Sequence, residues 1–142
     1  MDKVSQSVRS SIMRKVAGRN TEPEVEVRRI LHGLGLRFRL HSTLLPGSPD
    51  VVLKSRQTVI VVNGCFWHRH QGCKRATTPA TNTQYWSRKL EGNVRRDKRA
   101  ARQLRQQGRR VITIWECEVR DAPRLRRRLF RLFPIGEGEW DE

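Results

Sequence analysis

The sequence predicts an α/β domain in which one β-sheet is flanked by helices, with elements in the order α-α-β-β-β-α-β-α. Short β-branched runs, such as residues 59–62 and 111–115, indicate strands. Longer charged stretches place apolar residues at helical spacing, which indicates amphipathic helices. A domain usually holds about 100–150 residues, and the chain has 142. We therefore expect residues 1–142 to form a single domain.

The composition points to a polyanionic partner. The chain has 30 Lys and Arg residues against 14 Asp and Glu residues, for a net charge of +16. Such an excess strains a compact fold by self-repulsion, whereas neutralising phosphates releases condensed counterions. This favours nucleic acid over a solvated surface, without choosing between binding and catalysis. No apolar run approaches the roughly 20 residues that span a bilayer, so we expect a cytoplasmic protein and no membrane partner.

The helical stretches differ in what they suggest. Residues 1–20 form a basic arm or helix, which either packs on its own domain or lies against DNA. At the start of the second predicted helix, Thr21 is the predicted N-cap and Glu24 completes a capping box. Glu24 has two interpretations: it only caps this helix, or it also faces the functional site. A long charged helix follows at about 83–107, and a loose acidic tail is expected at 134–142.

Three of the four predicted strands precede the long helix. Residues 36–40 alternate apolar and basic side chains, which is typical of a half-buried strand. Residues 50–53 and 58–62 are separated by a short turn, so we expect an antiparallel hairpin. The fourth strand, residues 110–115, precedes the last helix.

Metal-binding residue types are concentrated after the third strand. Cys65, His68, His70 and Cys73 lie within nine residues of an irregular segment, and Cys117 follows the fourth strand. Three cysteines in a reducing compartment argue against disulfides. With one histidine they would form a tetrahedral Cys3His zinc site. Both His68 and His70 have acceptable spacing from Cys65 for this role. The alternative without a metal is that the three thiols are buried as small hydrophobic groups. The remaining imidazole would suit a general base.

Asp50 begins the second strand, directly after Pro49. Its carboxylate is a natural Mg2+ ligand, although an aspartate that only starts a strand is the commoner case. Together with a loop histidine it could supply the metal and the base that phosphodiester hydrolysis needs. Nearby aromatics, Phe66, Trp67 and Trp86, suit stacking on bases or wedging between base pairs. For Trp86, ordinary core packing is nearly as good an interpretation.

Taken in order, these motifs resemble the very short patch repair (Vsr) endonuclease family. The matching stretches run from the N-terminal arm to about residue 120. They are Arg9-Ser10 through Met13, Thr21-Glu22-Pro23-Glu24, Arg37-Phe38-Arg39, Leu45-Pro46-Gly47-Ser48-Pro49-Asp50, Gly64-Cys65-Phe66-Trp67-His68, Thr81-Asn82, Tyr85-Trp86, Asn93, Arg96-Asp97 and Trp115-Glu116-Cys117. The resemblance implies a restriction-endonuclease-like fold of the PD-(D/E)xK superfamily, with a mixed sheet, flanking helices and a structural zinc site.

The resemblance also implies an activity and a set of site residues. The activity is Mg2+-dependent nicking of double-stranded DNA, 5′ of the thymine in a T:G mismatch left by 5-methylcytosine deamination. Asp50 and the backbone carbonyl of Val62 would hold Mg2+, and His68 would be the general base, oriented by Asp97. The remaining implied roles are zinc binding by Cys65, His70, Cys73 and Cys117, a wedge of Phe66, Trp67 and Trp86, catalytic support from Glu24, and DNA contacts by Asn93 and Met13.

Two features depart from related patterns. The Glu-x-Lys element that accompanies Pro-Asp in the wider superfamily is missing here, as it is in the Vsr branch, and Val61-Val62-Asn63 stands in its place. Asn63 also occupies the position of a histidine in the family's best-known pattern.

The alternatives are a zinc-stabilised DNA-binding module and a sequence-specific restriction-type endonuclease. We further expect a monomer, a mismatch-repair protein as a candidate partner and association with a bacterial nucleoid.

Overall fold

The computed structural model describes residues 20–134. The predicted N-terminal arm, which includes Met13, lies outside that range, and so does the tail after Pro134. The elements are α1 (Glu22–Gly33), β1 (Arg39–Leu40), β2 (Val51–Leu53), β3 (Thr58–Asn63), α2 (Thr83–Gln106), β4 (Arg110–Trp115), α3 (Glu116–Val119) and α4 (Ala122–Leu132). A 3-10 turn, Lys54–Arg56, joins β2 to β3. Among the described residues no helix combines the length and apolarity that a membrane span requires.

The sheet is mixed, and its strands lie in the order β1-β2-β3-β4. The β2 and β3 strands form the predicted antiparallel hairpin, with Val51 opposite Ile60. By contrast, β3 and β4 run parallel over six residue pairs, from Thr58 opposite Arg110 to Asn63 opposite Trp115. A parallel pair needs a long crossover connection, and here the irregular loop and α2 supply it. Because β3 and β4 are parallel, the irregular loop after β3 and the α3 helix after β4 both begin at the same edge of the sheet.

Two apolar clusters cover the two faces of the sheet. The larger one joins α1 and α4 to the sheet; its buried members are Val27, Ile30, Leu31, Leu36, Val51, Leu53, Ile60, Ile112, Ile114, Leu125, Leu129 and Phe133. On the other face, Val52 and Val59 pack with Leu104 of α2. Alternate residues of one strand thus pack against different helices, as strand geometry requires. This arrangement confirms the predicted α/β class with helices on both sides.

Three details differ from the sequence prediction. The first strand contains only Arg39 and Leu40, both exposed, because Leu36 packs into the core after α1 instead of pairing with β2. Several α2 residues expected on the buried side, including Trp86, are half-buried, whereas Leu90 and Leu104 are fully buried. The single-turn α3 was not predicted, since four residues are too few to show helical periodicity.

Candidate active site and metal centre

An acidic centre lies where β2 and β3 pair, beside the start of α1. The Asp50 carboxylate accepts a hydrogen bond of 2.7 Å from the N–H of Val62. Along a strand the N–H and C=O of one residue face the same neighbour, so the carbonyl of Val62 is also on the Asp50 side. The Glu24 carboxylate, 4% exposed, completes the centre from α1. Oxygen ligands of this kind are those that Mg2+ prefers, so these groups fit that ion.

Glu24 lies at the capped start of α1 and faces Asp50, but its carboxylate bonds to the N–H of Asn20 and not, as the predicted capping box requires, to that of Thr21. Its N–H donates to the Thr21 hydroxyl at 3.5 Å, and its carboxylate accepts from the N–H of Asn20 at 2.9 Å. A carboxylate oxygen of Glu24 also lies within 4.8 Å of one of Asp50. The cap of α1 therefore fixes one wall of the acidic centre.

The Asp50 carboxyl is adapted to bind a cation or a proton. Burial raises its pKa to about 7, and the negative charge and hydrogen bond of Glu24 act in the same direction. The hydrogen bond from the N–H of Val62 and the nearby His68 imidazole oppose this increase. The raised pKa favours the protonated carboxyl, whereas a cation bound beside the two carboxylates would favour the ionised form.

His68 and Asp97 form a pair beside this centre. The Nδ1 atom of His68 is 2.6 Å from a carboxylate oxygen of Asp97. A carboxylate only accepts hydrogen bonds, so Nδ1 carries the proton and Nε2 of a neutral ring carries a free lone pair. A second contact holds the loop to α2, since the Asn93 amide donates to the carbonyl of Trp67 at 2.9 Å. The Nε2 atom of the His68–Asp97 pair can accept a proton from a water molecule.

The thiol cluster fits a structural zinc ion. The ligand atoms of Cys65, His70, Cys73 and Cys117 all lie within 4.8 Å of one another. The Nδ1 atom of His70 is 3.6 Å from the Cys65 sulfur and 3.4 Å from the Cys117 sulfur. A tetrahedral ion with Zn–S of about 2.3 Å and Zn–N of about 2.1 Å separates such atoms by about 3.6 Å. The spacing is therefore that of a Cys3His site.

The thiols lie in different electrostatic surroundings, and a ring contact holds His70 beside them. Burial and the neighbouring thiols raise the pKa of Cys65 to about 12. A hydrogen bond from the N–H of Arg75 lowers the pKa of Cys73, despite partial desolvation. A bound zinc ion would deprotonate all three thiols. In addition, the His70 ring stacks on Trp115 at 4.1 Å, which orients its nitrogen toward the sulfurs.

The aromatic residues form a separate cluster on the protein surface. The Phe66 and Trp67 rings are 5.1 Å apart, and Trp86 lies 5.6 Å from Phe66 and 5.9 Å from Trp67. All three are half-buried, and none belongs to either core cluster of the described residues. Tyr85, 58% exposed, extends the cluster at the start of α2. Trp86 thus packs against surface aromatic residues, outside both core clusters of the described residues.

The structure therefore brings together most of the predicted site residues. Asp50, Val62, Glu24 and His68 surround one centre, and His70, not His68, joins the thiols. Sequence analysis missed His41 and Arg28, which also contact Glu24. The four-residue spacing from Glu24 is a usable signal for Arg28. His41 gives no such local signal, because it reaches the site through the pairing of β1 with β2.

Comparison with known proteins agrees with this geometry. Residues 1–75 match the family model described as "DNA mismatch endonuclease Vsr". The chain is 45% identical to the type II nicking enzyme V.XorIIP of Xanthomonas oryzae pv. oryzae, over 90% of this chain and 93% of that protein. It is 41% identical to the DNA mismatch endonuclease Vsr of Escherichia coli, over 84% of this chain and 76% of that protein.

A solved structure shares the fold. The catalytic domain of homing endonuclease I-Bth0305I matches with a TM-score of 0.56 and 23% identity, covering 81% of this chain and 96% of that domain. At that identity the match bears on the fold alone, which is the nuclease-type α/β architecture expected from the sequence. The family match and the two relatives establish the rest: this chain is a DNA endonuclease that belongs to the Vsr family of DNA mismatch endonucleases.

Proposed function

We propose that the protein nicks double-stranded DNA 5′ of the thymine in a T:G mismatch and thereby initiates very short patch repair. The observation that carries the proposal is the placement of a proton acceptor, His68 paired with Asp97, beside the Asp50 and Glu24 carboxylates. Metal-assisted hydrolysis needs such a base next to such ligands. The names of the relatives, a mismatch endonuclease and nicking enzymes, support the same reaction.

Each residue has a defined part in the proposed reaction. Asp50, Glu24 and the Val62 carbonyl would hold Mg2+, which when bound would stabilise the charge that develops on the scissile phosphate. The free Nε2 of His68 takes a proton from the attacking water, and Asp97 stabilises the imidazolium that results. Cys65, His70, Cys73 and Cys117 would hold zinc and so fix the loop that carries His68.

DNA binding would combine a basic surface with the aromatic cluster. Exposed basic side chains line α2, namely Arg88, Lys89, Arg95, Arg96, Lys98 and Arg99. They would contact phosphates without reading sequence. A cleft of about 1270 Å³ extends from His68 and Asp97 along α2. Phe66, Trp67 and Trp86 would enter the base stack at the mismatch, which unstacks more easily than a matched pair. Met13, outside the described residues, stays a predicted contact.

The remaining expectations belong to the same proposal. The protein would act as a cytoplasmic monomer near the bacterial nucleoid, with a mismatch-repair protein as a candidate partner. Asn63, in place of the histidine of the best-known family pattern, is 5% exposed and paired opposite Trp115 in the sheet. In this chain His68 is therefore the imidazole proposed to act as the base.

A panel of three labelled duplexes tests the proposal. T:G, T:A and C:G duplexes of otherwise identical sequence are incubated with the protein and Mg2+, and Asp50→Asn serves as the matched inactive control. We expect cleavage of the T:G duplex alone and none by Asp50→Asn. Equal cleavage of T:A would indicate a restriction-type endonuclease. Binding without cleavage under all conditions would indicate a DNA-binding module.

A further inference from the structure

His41 occupies an unusual position next to the acidic centre. It directly follows β1, and its N–H donates to the carbonyl of Asp50 at 3.1 Å. The β1–β2 pairing thus extends one residue beyond Leu40, which pairs with Val51. The backbone φ of His41 is +49°, in a region that few side chains adopt without compensation. Its side chain is only 13% exposed and turns toward Glu24.

The contacts of His41 define which ring nitrogen faces Glu24 and Arg28. The Arg28 Nη2 atom is 2.9 Å from Nε2 of His41 and 3.2 Å from a carboxylate oxygen of Glu24. A guanidinium group only donates hydrogen bonds, so Nε2 of His41 must be the acceptor. In this contact the lone pair of Nε2 faces the guanidinium group. The same Nε2 atom lies 3.8 Å from a carboxylate oxygen of Glu24.

The three side chains have the spacing of a cation site. One ligand atom from each of Glu24, His41 and Asp50 lies within 4.8 Å of the other two. An ion with bonds of about 2.1–2.2 Å holds its ligand atoms about 3 Å apart when adjacent and about 4.3 Å apart when opposite. Little movement would be needed to close the set around an ion.

We propose that His41 is a third side-chain ligand, with Glu24 and Asp50, of the divalent ion used in the proposed cleavage reaction. The inference rests on that proposed function, since it concerns the same metal centre. Arg28 supplies the positive charge there in the metal-free protein, and an entering ion takes over its contacts with Glu24 and His41. Among residues 20–134, the Nε atom of Arg28 has no hydrogen-bond partner, so these two contacts hold much of the guanidinium in place.

An imidazole ligand has a consequence for the choice of ion. Mg2+ takes oxygen ligands almost exclusively, whereas affinity for nitrogen ligands rises along the transition-metal series. A set of two carboxylates and one imidazole should therefore bind Mn2+ better, relative to Mg2+, than carboxylates alone. Soft thiolate ligands keep zinc in the separate Cys3His cluster, so Mn2+ can probe this centre in the zinc-loaded protein.

The experiment measures Mn2+ binding directly. The zinc-loaded protein is titrated with Mn2+ at pH 8 without DNA, free Mn2+ is followed by electron paramagnetic resonance, and electron spin echo modulation reports nitrogen bound to Mn2+. We expect nitrogen modulation in the wild type and its loss in His41→Ala. Mn2+ affinity should fall about tenfold or more, the loss that even an outer-shell partner of a ligand can cause. The control His32→Ala, which alters an exposed histidine of α1, should bind Mn2+ like the wild type.

Two further variants separate the explanations. Arg28→Ala removes the hydrogen bond to His41 but also a competing cation, so its Mn2+ affinity should equal or exceed that of the wild type. If Arg28→Ala lost Mn2+ as strongly as His41→Ala, His41 would act only through its hydrogen bond and the inference would be wrong. Nitrogen modulation that persisted in His41→Ala would likewise show that the inference is wrong. Unchanged Mn2+ binding in Asp50→Ala would instead overturn the proposed metal centre itself.

Discussion

Mg2+ binding should depend steeply on pH near neutrality, because the Asp50 carboxyl that would bind the ion has a pKa of about 7 in the metal-free protein. Only the ionised carboxyl can bind the cation. With that pKa, Asp50 is about one-tenth ionised at pH 6 and about nine-tenths ionised at pH 8. Apparent Mg2+ affinity should therefore rise about tenfold between these pH values, and binding at pH 7 should release about half a proton.

Isothermal titration calorimetry measures both quantities. Titration of the protein with Mg2+ in two buffers of different ionisation enthalpy gives the number of protons released at each pH. Asp121→Asn is the matched control, because it changes the same functional group at the N-cap of α4. This variant should retain the wild-type pH dependence, whereas Asp50→Asn should bind Mg2+ weakly at every pH. Mg2+ affinity that does not change between pH 6 and pH 8 would refute the reasoning.

The same carboxyl affects folding stability in the opposite direction. Its pKa is raised above the ordinary aspartate value of 3.8, so the folded protein binds the proton more tightly than the unfolded chain does. The stabilising contribution is complete below about pH 4 and is lost as pH rises through about 7. In urea unfolding of the metal-free protein, the wild type should lose stability relative to Asp50→Asn over this range. A constant difference between the two proteins would contradict the assignment.

Five other variants test three separate parts of the site. Cys117→Ser should lose zinc and much of its stability, since the ligands join the loop to the end of β4. Elemental analysis measures the zinc and thermal unfolding measures the stability. Full stability without zinc would contradict the zinc site. His68→Ala should lower the nicking rate strongly yet retain zinc, whereas His70→Ala should release it; the reverse result would exchange the two assignments. Trp67→Ala or Trp86→Ala should slow T:G cleavage about tenfold or more, because stacking contributes about 1–3 kcal/mol per base. Single-turnover rates with 2-aminopurine beside the mismatch test this, and unchanged rates and fluorescence would exclude a wedge.

The parts of the site that lie close together in sequence were the most predictable. Cys65, His70 and Cys73 are near neighbours in one irregular loop, so metal binding was a strong interpretation. The spacing could not decide between His68 and His70, because both are within reach of Cys65. Tertiary contacts favour His70 as the zinc ligand, because His70 stacks on Trp115 whereas His68 turns to Asp97 on α2.

The parts that depend on strand pairing were less predictable. Alternation in residues 36–40 suggested a full strand, but only Arg39 and Leu40 pair with β2, since Leu36 is drawn into the core. His41 reaches the acidic centre of Asp50 and Glu24 through this same short pairing. A lone histidine in a loop carries no periodicity, so only the register of β1 against β2 could have identified it.

The central claim, strand-specific nicking at a T:G mismatch, is tested most directly by mapping the cut. Each strand of a T:G duplex is labelled in turn, and the products formed with Mg2+ are resolved to single nucleotides beside a matched T:A duplex. The proposal predicts one nick, on the thymine strand immediately 5′ of the mismatched thymine, and no product from T:A. Cleavage of both strands, or the same cut in the T:A duplex, would contradict it.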